Sequence, residues 1–496
     1  MSTVWLLGGL CLLPTEAGHE VRRCDLAIDG PNIKAVVPAG DARPDPADEA
    51  IDASGNLIAP GFVNAHTHSP DNLIRGSAPN LPLELWSLHS AAGREGRSPR
   101  ETYVAAMLGC IEMLRGGVTT VLDHIRFSPH PDPAGLDSIG AAYRDAGMRA
   151  VIAPVLADRA VVDTMPLDPA DLPPKSDDAY GRGAMMPAAE QARLVDDFIQ
   201  RWHGVEKRIY GAVGPSGPQR CSDELLQLAG DISLRRKVIW HSHVLETKVQ
   251  REMARRLYGV SMIRHLSDLG VLSRRTNLVH MNWATPDDLD LVAASGAGIV
   301  HNPVSNARLG SSVCDLPGIL ARGIPVGLGT DSACCNDSNN LLETAKWAAL
   351  THNQSSPDPD TWVGPDRAMT LATRGGASVL GLGDTTGQIA PGLAADLVLF
   401  KIRSPAFAPL INPVQQIVLG AGSADISSVM VAGKFLMRDG RCTMIDESSI
   451  WAEAQELADR RLSANKSVYA SAANLASATH AMYCRVHGLA YRKSHD

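Results

Sequence analysis

The stretch KVIWHSH at residues 237–243 is an apolar run of strand length that ends in two histidines. Segments with helical spacing, such as ETYVAAMLGCIEMLRGG at 101–117, separate it from other runs of this kind. Seven further apolar runs lie along the middle of the chain: APGFVNAHTH (59–68), TTVLDH (119–124), MRAVIAPV (148–155), RIYGAVGPS (208–216), TNLVHMN (276–282), GAGIVHN (296–302) and PVGLGTDS (325–332). Repeated strand and helix units predict a parallel sheet, and eight candidate strands favour a closed barrel over an open sheet.

The two ends of the chain have a different pattern. Residues 1–57 and 388–445 consist of short apolar runs broken by Gly, Pro and Asn, which is typical of a meander of strands. We therefore predict one small β-sandwich formed by both chain ends, beside a barrel at 58–387. Residues 446–496 are rich in Ala, Ser and charged residues with helical spacing, and they predict a C-terminal helical tail.

Composition limits the class of protein. The chain has 496 residues, 45% hydrophobic and 20% charged, as expected for a globular protein. Its 46 Lys and Arg against 54 Asp and Glu give a net charge of -8, which argues against nucleic acid as a partner. Nine cysteines without a CxxC pair predict reduced thiols and a cytoplasmic location. No run approaches the ~20 apolar residues of a membrane helix, so no membrane partner is expected.

Histidines and aspartates stand at the ends of several predicted strands, where barrels of this type carry their active sites. His66 and His68 are two positions apart, so their side chains point to the same face of a strand. With His243 and Asp331 they give three imidazoles and a carboxylate. This set suits zinc or another divalent transition metal with a water in the open position.

Six motifs, taken together and in their order, resemble those of a known family: PGFVNAHTH, HSHVLET, LVHMN, HNPVSNARLG, GLGTDS and APGLAADLVLF. The chain is similar to the amidohydrolase superfamily, and more narrowly to the branch with triazine hydrolases, guanine deaminase and S-adenosylhomocysteine deaminase. The resemblance extends to about residue 445. It implies an α/β fold, a distorted (β/α)8 TIM-type barrel with a composite β-sandwich, which agrees with the strand pattern.

The resemblance also implies roles for particular residues. The metal ligands are His66, His68, His243 and Asp331. His243 is preferred over His241 because it stands three positions before a glutamate, as the ligand does in that branch. That glutamate, Glu246, corresponds to the proton-shuttling carboxylate, and His280 to the histidine that orients or polarises the attacking water. Asp331, partnered by His280, accepts a proton as the water attacks.

The number of metal ions depends on the end of the fourth strand. Many relatives hold two ions bridged by a carboxylated lysine there, but RIYGAVGPSGPQR at 208–220 contains no lysine. We therefore predict one divalent ion per chain, with Zn²⁺ foremost and Fe²⁺ or Mn²⁺ as alternatives. The resemblance further implies a homo-oligomer, dimeric or larger.

The implied reaction is hydrolytic deamination, or displacement of an amine, at an electrophilic ring carbon of a purine, pyrimidine, pterin or s-triazine. This small-molecule chemistry is metal-dependent and places the chain among aminohydrolases. Hydrolysis of a chloro- or thioalkyl-triazine, or of an amide, urea or carbamate, is the alternative. A non-catalytic scaffold protein is a remote alternative, because the set of metal-ligand residues is complete.

Substrate contacts are less well defined by the sequence. Trp86 either stacks on a planar ring or fills a gap between helices, and His301 and Asn302 either contact substrate or support the pocket. The Pro- and Asp-rich segment 156–190 is a lid over the pocket or a surface insertion. Asp123 is expected to brace the barrel mouth, and at most one of two adjacent cysteines at 334 and 335 to face the pocket.

Overall fold

The computed structural model describes residues 3–16, 18–94, 96–127, 131–172 and 185–491, apart from the side chains of 91, 92, 471 and 472. Its strands, in chain order, are β1 (Val4–Pro14), β2 (His19–Asp29), β3 (Asn32–Pro38), β4 (Glu49–Asp52), β5 (Asn56–Pro60), β6 (Phe62–Thr67), β7 (Val118–Asp123), β8 (Arg149–Ile152), β9 (Val155–Leu156), β10 (Ile209–Gly211), β11 (Gly214–Pro215), β12 (Trp240–Val244), β13 (Thr276–His280), β14 (Gly298–His301), β15 (Val326–Leu328), β16 (Leu397–Lys401), β17 (Ile426–Val431), β18 (Lys434–Arg438) and β19 (Arg441–Cys442).

Helices follow most of the middle strands. They are α1 (Leu83–Arg94), α2 (Pro99–Arg115), α3 (Pro133–Ala146), α4 (Ala188–Trp202), α5 (Asp223–Arg236), α6 (Lys248–Tyr258), α7 (Met262–Asp268), α8 (Pro286–Ser295), α9 (Pro303–Arg308), α10 (Leu316–Ala321), α11 (Leu341–Leu350), α12 (Gly364–Thr370), α13 (Gly376–Val379), α14 (Pro413–Gly420), α15 (Glu447–Ala464) and α16 (Lys466–His487). Local sequence explains where several begin. Ser98 with Glu101, and Thr285 with Asp288, form capping boxes that satisfy the free N–H groups of α2 and α8.

The middle strands form the barrel that the sequence predicts. β6, β7, β8 and β10 pair in parallel, and so do β12, β13, β14 and β15, while β9 and β11 extend the third and fourth strands. Two parallel bridges, Val213 with Trp240 and Thr67 with Asp331, join the two groups of strands at both seams. Small and β-branched side chains such as Val63 and Val279 fill the interior, so the barrel is a packed core.

The strands from both chain ends form one nine-stranded sheet in the order β19-β18-β17-β16-β5-β1-β2-β3, with β4 also paired to β1. β5 joins the two ends, because it pairs in parallel with β1 and antiparallel with β16. Arg149 of the barrel forms a buried two-pronged ion pair with Asp396 beside this sheet, at 2.9 and 3.2 Å. The fold class is confirmed, whereas the domain boundaries 1–57, 58–387, 388–445 and 446–496 stay predictions.

The C-terminal tail is helical and packs on its own chain. α15 lies against α2, and α16 lies against α1, close to the mouth of the barrel. Arg100 and Glu453 form an ion pair between the first two of these helices. Among the helices of the described ranges, none combines the length and the apolar character required to cross a bilayer.

Candidate active site

The four predicted metal ligands converge at the mouth of the barrel. The Nε2 atoms of His66 and His68 each lie 3.4 Å from Asp331 Oδ1, and His243 Nε2 lies 3.3 Å from His68 Nε2. Ligands held about 2.1 Å from a tetrahedral zinc ion are about 3.4 Å from one another. These three distances agree with that value. Among the described residues, two groups have ligand atoms that all lie within 4.8 Å of one another, and they are His66, His68, His124 and His243, and His66, His280 and Asp331.

Hydrogen bonds fix which imidazole nitrogen faces the centre. His68 Nδ1 lies 2.6 Å from the carbonyl oxygen of His124, and His243 Nδ1 lies 2.5 Å from that of Ser216. A carbonyl only accepts, so both Nδ1 atoms carry the hydrogen and both Nε2 atoms present a lone pair. Burial lowers the pKa of His66 to about 4 and that of His243 well below its ordinary value. These rings are neutral, as metal binding requires.

Two other histidines border this centre. His241 Nε2 lies 2.8 Å from His66 Nδ1, so it contacts a candidate ligand on the side away from Asp331. His124 belongs to a group with His66, His68 and His243 whose ligand atoms lie within 4.8 Å of one another. Its Nε2 is 3.1 Å from the Gly214 carbonyl oxygen, which uses one of its two nitrogens.

Asp331 occupies a constrained position at the seam of the barrel. Its backbone N–H donates to the His66 carbonyl at 2.9 Å, and its φ of 61° is one that non-glycine residues rarely adopt. The Ser305 hydroxyl donates to Oδ2 at 2.6 Å. A Cβ at Gly329 would lie 2.7 Å from the His66 Cβ, so only glycine allows the two strands to approach. Burial alone would raise the pKa of Asp331, but the surrounding histidines hold it well below its usual range.

Glu246 and His280 face each other beside this centre. Glu246 Oε2 lies 3.6 Å from His280 Nε2, which is 3.8 Å from Asp331 Oδ2. His280 Nδ1 lies 2.9 Å from the side-chain oxygen of Asn306. That oxygen accepts the Nδ1 hydrogen, because the Asn306 amide nitrogen donates to Asn282 at 2.8 Å. The lone pair of His280 Nε2 is therefore directed at the two carboxyl groups.

The carboxyl group of Glu246 holds its proton more tightly than an ordinary carboxyl group does. Burial raises its pKa well above the ordinary value, and the nearby carboxylates of Asp331 and Glu84 raise it further. Glu84, at the start of α1, accepts a hydrogen bond from the Thr247 hydroxyl at 2.6 Å. Burial also raises the pKa of Glu84. Two acidic groups with high proton affinity thus line one cavity.

The cavity contains most of the residues singled out from the sequence. It is lined by His68, Trp86, His243, Glu246, His280 and Asp331, among others. Trp86 is also packed against Ile74 and donates its indole N–H to the Cys334 carbonyl at 3.0 Å. Cys335 lines the cavity, in keeping with the prediction that only one of the two adjacent thiols faces it.

His301 and Asn302 occupy a different environment. Both are buried, and within the described structure neither lines the cavity. The His301 ring lies 5.5 Å from that of His352. Asp123 has the bracing position expected, since it accepts hydrogen bonds of 3.0 Å from the Ser69 N–H and the Tyr143 hydroxyl.

The predicted lid is described in part. Residues 173–184 of the segment 156–190 lie outside the described residues. Val161, Thr164 and Met165 of its first part line the cavity. Met165 packs against Val249 of α6 and Met482 of α16, so the C-terminal tail supports this part of the segment.

Two residues near the site were not assigned a role from the sequence. Asp71 is buried, pairs with Arg94 through contacts of 2.6 and 2.5 Å, and accepts a hydrogen bond from Ser332 next to Asp331. Asn282 also donates its amide N–H to the Glu246 carbonyl at 3.1 Å. No local pattern marks these residues, because their partners lie in helices and loops that are distant in the sequence.

The fold and this site define a class of protein: a parallel (β/α)8 barrel that brings imidazole and carboxylate groups together at its mouth, as metal-dependent barrel enzymes do. Residues 57–436 match the amidohydrolase family, and the chain belongs to that family. This confirms the resemblance on which the residue roles were based, and with it the expectation of a hydrolase of carbon–nitrogen bonds.

Named relatives narrow the comparison. The chain is 33% identical over 465 residues to the 5-methylthioadenosine/S-adenosylhomocysteine deaminase of Pelotomaculum thermopropionicum, covering 92% of this chain and 98% of the relative. It is 32% identical over 440 residues to the 5'-deoxyadenosine deaminase of Methanothermobacter thermautotrophicus, covering 88% and 95%. The predicted hydrolytic deamination of an N-heterocycle agrees with these names.

Solved structures with the same fold include two with zinc. An adenosine deaminase from Xanthomonas campestris with bound zinc matches at a TM-score of 0.83 and 26% identity, over 93% of this chain and 99% of that one. Atrazine chlorohydrolase from Arthrobacter aurescens, complexed with zinc, matches at 0.81 and 25% identity, over 92% and 100%. Relatives of this fold thus bind a metal, and the present chain has a suitable ligand set.

Proposed function

We propose that the protein is an aminohydrolase that replaces the amino group of a nitrogen heterocycle, such as an adenosine derivative, by oxygen. The observation that carries the proposal is Glu246, a buried carboxyl group of raised pKa in the same cavity as the candidate metal ligands. A carboxyl group that keeps its proton at neutral pH can protonate a ring nitrogen while water attacks the neighbouring carbon. Heterocycles with an amidine-like C–N unit need that proton.

The metal is assigned to His66, His68, His243 and Asp331, with one divalent ion per chain and zinc as the foremost candidate. Three imidazoles and one carboxylate are a donor set that suits this ion. When bound, the ion lowers the pKa of water from 15.7 to about 7 and thereby supplies a nucleophile at neutral pH. Fe²⁺ and Mn²⁺ are the alternatives.

The side chains then move protons in a fixed order. Asp331, with His280 beside it, accepts a proton from the water that attacks the ring carbon. Glu246 donates its proton to the adjacent ring nitrogen, so that no negative charge accumulates on the ring. The proton held at Asp331 passes to the amino group, and the C–N bond breaks. As the C–N bond breaks, the hydroxyl group on the ring carbon returns a proton to Glu246, and the products are ammonia and an oxo heterocycle.

The test is ammonia release from adenosine, 5'-deoxyadenosine, 5'-methylthioadenosine, guanine and an amino-triazine. Glu246→Gln should lower kcat by about 10²- to 10⁴-fold, because general acid catalysis is lost. Metal content, measured by elemental analysis, should not change. Glu252→Gln, on the partly exposed side of α6, is the matched control and should retain full activity. Undiminished ammonia release by Glu246→Gln would reject the assignment.

The same assays separate the competing reactions. Release of chloride from a chloro-triazine without release of ammonia would indicate a chlorohydrolase instead, which is the activity in the name of the Arthrobacter aurescens relative. Turnover of amides, ureas or carbamates alone would indicate a different C–N substrate. A stable protein that binds no metal and turns over none of these compounds would indicate a scaffold.

We further propose that the enzyme acts in the cytoplasm as a homo-oligomer. All nine cysteines are free thiols, which suits a reducing compartment. Trp347, Leu350 and Trp362 each expose about two fifths of their surface, which supports a contact between copies. Light scattering after size-exclusion chromatography should give a mass of at least twice 52.7 kDa, and a mass of one chain would contradict the proposal.

A further inference from the structure

Asp71 and Arg94 form a buried ion pair beside the loop that follows Asp331. Asp71 lies in the helical turn Ser69–Ile74, directly after the first barrel strand, and Arg94 is the last residue of α1. Both side chains are buried. Two contacts, of 2.6 and 2.5 Å, join the guanidinium to the carboxylate, which gives the pair one fixed geometry.

Ser332 connects this ion pair to Asp331. The Ser332 hydroxyl donates to Asp71 Oδ2, and the Ser332 backbone N–H donates to Asp331 Oδ1 at 2.8 Å. The same hydroxyl accepts a hydrogen bond from the Cys334 N–H at 2.9 Å, so two contacts hold the start of the loop. Oδ1 is also the oxygen that lies 3.4 Å from two imidazoles of the proposed ligand set. The Ser332 N–H therefore acts on the atom that is assigned to the metal.

The two carboxylate oxygens of Asp331 have different partners. Oδ1 accepts the Ser332 N–H, whereas Oδ2 accepts the Ser305 hydroxyl at 2.6 Å and lies 3.8 Å from His280 Nε2. Rotation of the carboxylate would exchange the oxygen assigned to the metal with the oxygen assigned to accept a proton. Donors on both oxygens oppose that rotation. The φ of Asp331 is 61°, which a non-glycine residue keeps only where its surroundings hold it.

The same ion pair also contacts a wall of the active-site cavity. Arg94 and Trp86 both line the cavity, and the guanidinium carbon lies 5.6 Å from the centre of the indole ring. The indole N–H donates to the Cys334 carbonyl at 3.0 Å. The contacts thus form a closed ring that runs through Asp71, Ser332, Cys334, Trp86 and Arg94. This ring fixes an aromatic wall of the cavity relative to the loop that follows Asp331.

We propose that Asp71, held by Arg94, is a positioning residue that acts through Ser332 and sets which oxygen of Asp331 faces the metal. The inference rests on the proposed function, because that function assigns Asp331 both as a ligand and as a proton acceptor. Hydrogen-bonded groups behind a metal ligand typically contribute about 10- to 100-fold to metal affinity or activity. Asp71 and Arg94 are expected to act in this way without contacting the reacting atoms.

Ser332→Ala is the first test, because it removes the hydroxyl and leaves the ion pair and the backbone N–H in place. Zinc affinity, measured by competition with a chelator, and kcat should each fall by about 10-fold, while KM changes little. Ser233→Ala is the matched control, since it removes a buried hydroxyl that donates to the Val238 carbonyl and does not line the cavity. It should change Tm to a similar extent and leave zinc affinity and kcat unchanged.

A double-mutant cycle tests whether the ion pair acts through Ser332. Asp71→Leu combined with Arg94→Met removes both charges, so neither is left buried alone. This variant should lose zinc affinity and kcat as Ser332→Ala does, and its KM should rise because Arg94 also supports Trp86. Adding Ser332→Ala to it should lower zinc affinity by no more than about twofold further. Losses that multiply would overturn the proposal. If the charge-free variant does not fold, Ser332→Ala alone decides.

Zinc affinity is measured without substrate, which keeps the two proposals separate. Bound zinc without ammonia release would reject the proposed function, whereas the zinc affinity of Ser332→Ala would still decide the positioning role. Ammonia release with unchanged zinc affinity and kcat in Ser332→Ala would overturn the positioning role and retain the function. An unsubstituted protein that binds no zinc would reject both.

Discussion

The polar side chains on the two halves of the barrel mouth differ in whether they have hydrogen-bond partners within the protein. On the side of β12 to β15, the side chains hold one another in place, as in the contacts of His280 with Asn306 and of Asp331 with Ser305. On the side of β7 to β11, Arg126 and Arg220 line the cavity without such partners among the described residues. Groups that perform chemistry need fixed geometry before the substrate arrives. The hydrogen-bonded half of the mouth meets this requirement through contacts within the chain.

The largest effect is expected at the metal centre. His243→Ala should abolish tight metal binding and lower activity by about 10³-fold or more, because water activation is lost with the ion. His241→Ala, two positions away, should lower metal affinity by about 10- to 100-fold, because it only supports His66. Elemental analysis and ammonia release measure both. Loss of the metal in His241→Ala but not in His243→Ala would show that His241 is the ligand and that His243 only supports the site.

A smaller effect on activity is expected from the hydrogen bonds that hold the side chains on the β12 to β15 side of the barrel mouth. Asn306→Leu removes the acceptor that sets the orientation of His280, and kcat should fall by about 10- to 100-fold. KM and metal content should change little. Asn306→Asp keeps an acceptor at this position and should retain more activity than Asn306→Leu. Equal losses in the two variants would show that the side chain serves only packing.

The pH dependence of kcat should report the charge of Glu84. Glu246 is active when protonated, so kcat falls as the pH rises through its pKa. A negative charge at Glu84 raises that pKa, and Glu84→Gln therefore lowers it. In Glu84→Gln the fall in kcat should begin at a lower pH, while kcat on the acidic side changes by less than about threefold. A fall that stays at the same pH, or moves to a higher one, would contradict this coupling.

The smallest effect is expected from the C-terminal helix. Met482→Ala removes the buried contact of α16 with Met165 and should raise KM by about two- to fivefold, because the segment above the cavity loses support. Met437→Ala, a buried position in β18 of the terminal sheet, is a control of the same type that lies away from the cavity. It should lower Tm without changing KM. An equal change of KM in both variants would reject the idea that α16 supports the segment.

The barrel and the location of its polar residues could be predicted from the sequence, but the hydrogen bonds between those residues could not. The eight strands were predictable because each is a buried apolar run. The convergence of His66, His68, His243 and Asp331 was predictable because strand ends meet at one edge of a barrel, whereas the choice of His243 over His241 as a ligand came from the family resemblance and stays a prediction. The contacts of Asn282 and Asn306 were not predictable. They join the loop after β13 to α9 through side-chain amides, and no periodicity in the sequence indicates such a pairing.

The partners of the buried charged residues could not be predicted from the sequence either. Asp71 and Arg94 are 23 positions apart and Arg149 and Asp396 are 247 apart, yet each forms a buried pair. Arg126 and Arg220 have the same residue type in similar surroundings but no such partner in the described structure. Only the positions of all neighbouring side chains distinguish the paired arginines from the unpaired ones.

The seam between the first and the last barrel strands has a consequence for biosynthesis. His66 and His68 emerge early from the ribosome, whereas Asp331, whose backbone N–H joins the last strand to the first, follows 263 residues after His68. At a translation rate of about 5 to 20 residues per second, that interval is roughly 13 to 53 s. During this time the nascent chain carries an incomplete set of the proposed donors, so under the proposed assignment tight capture of an ion has to wait until Asp331 has been synthesised.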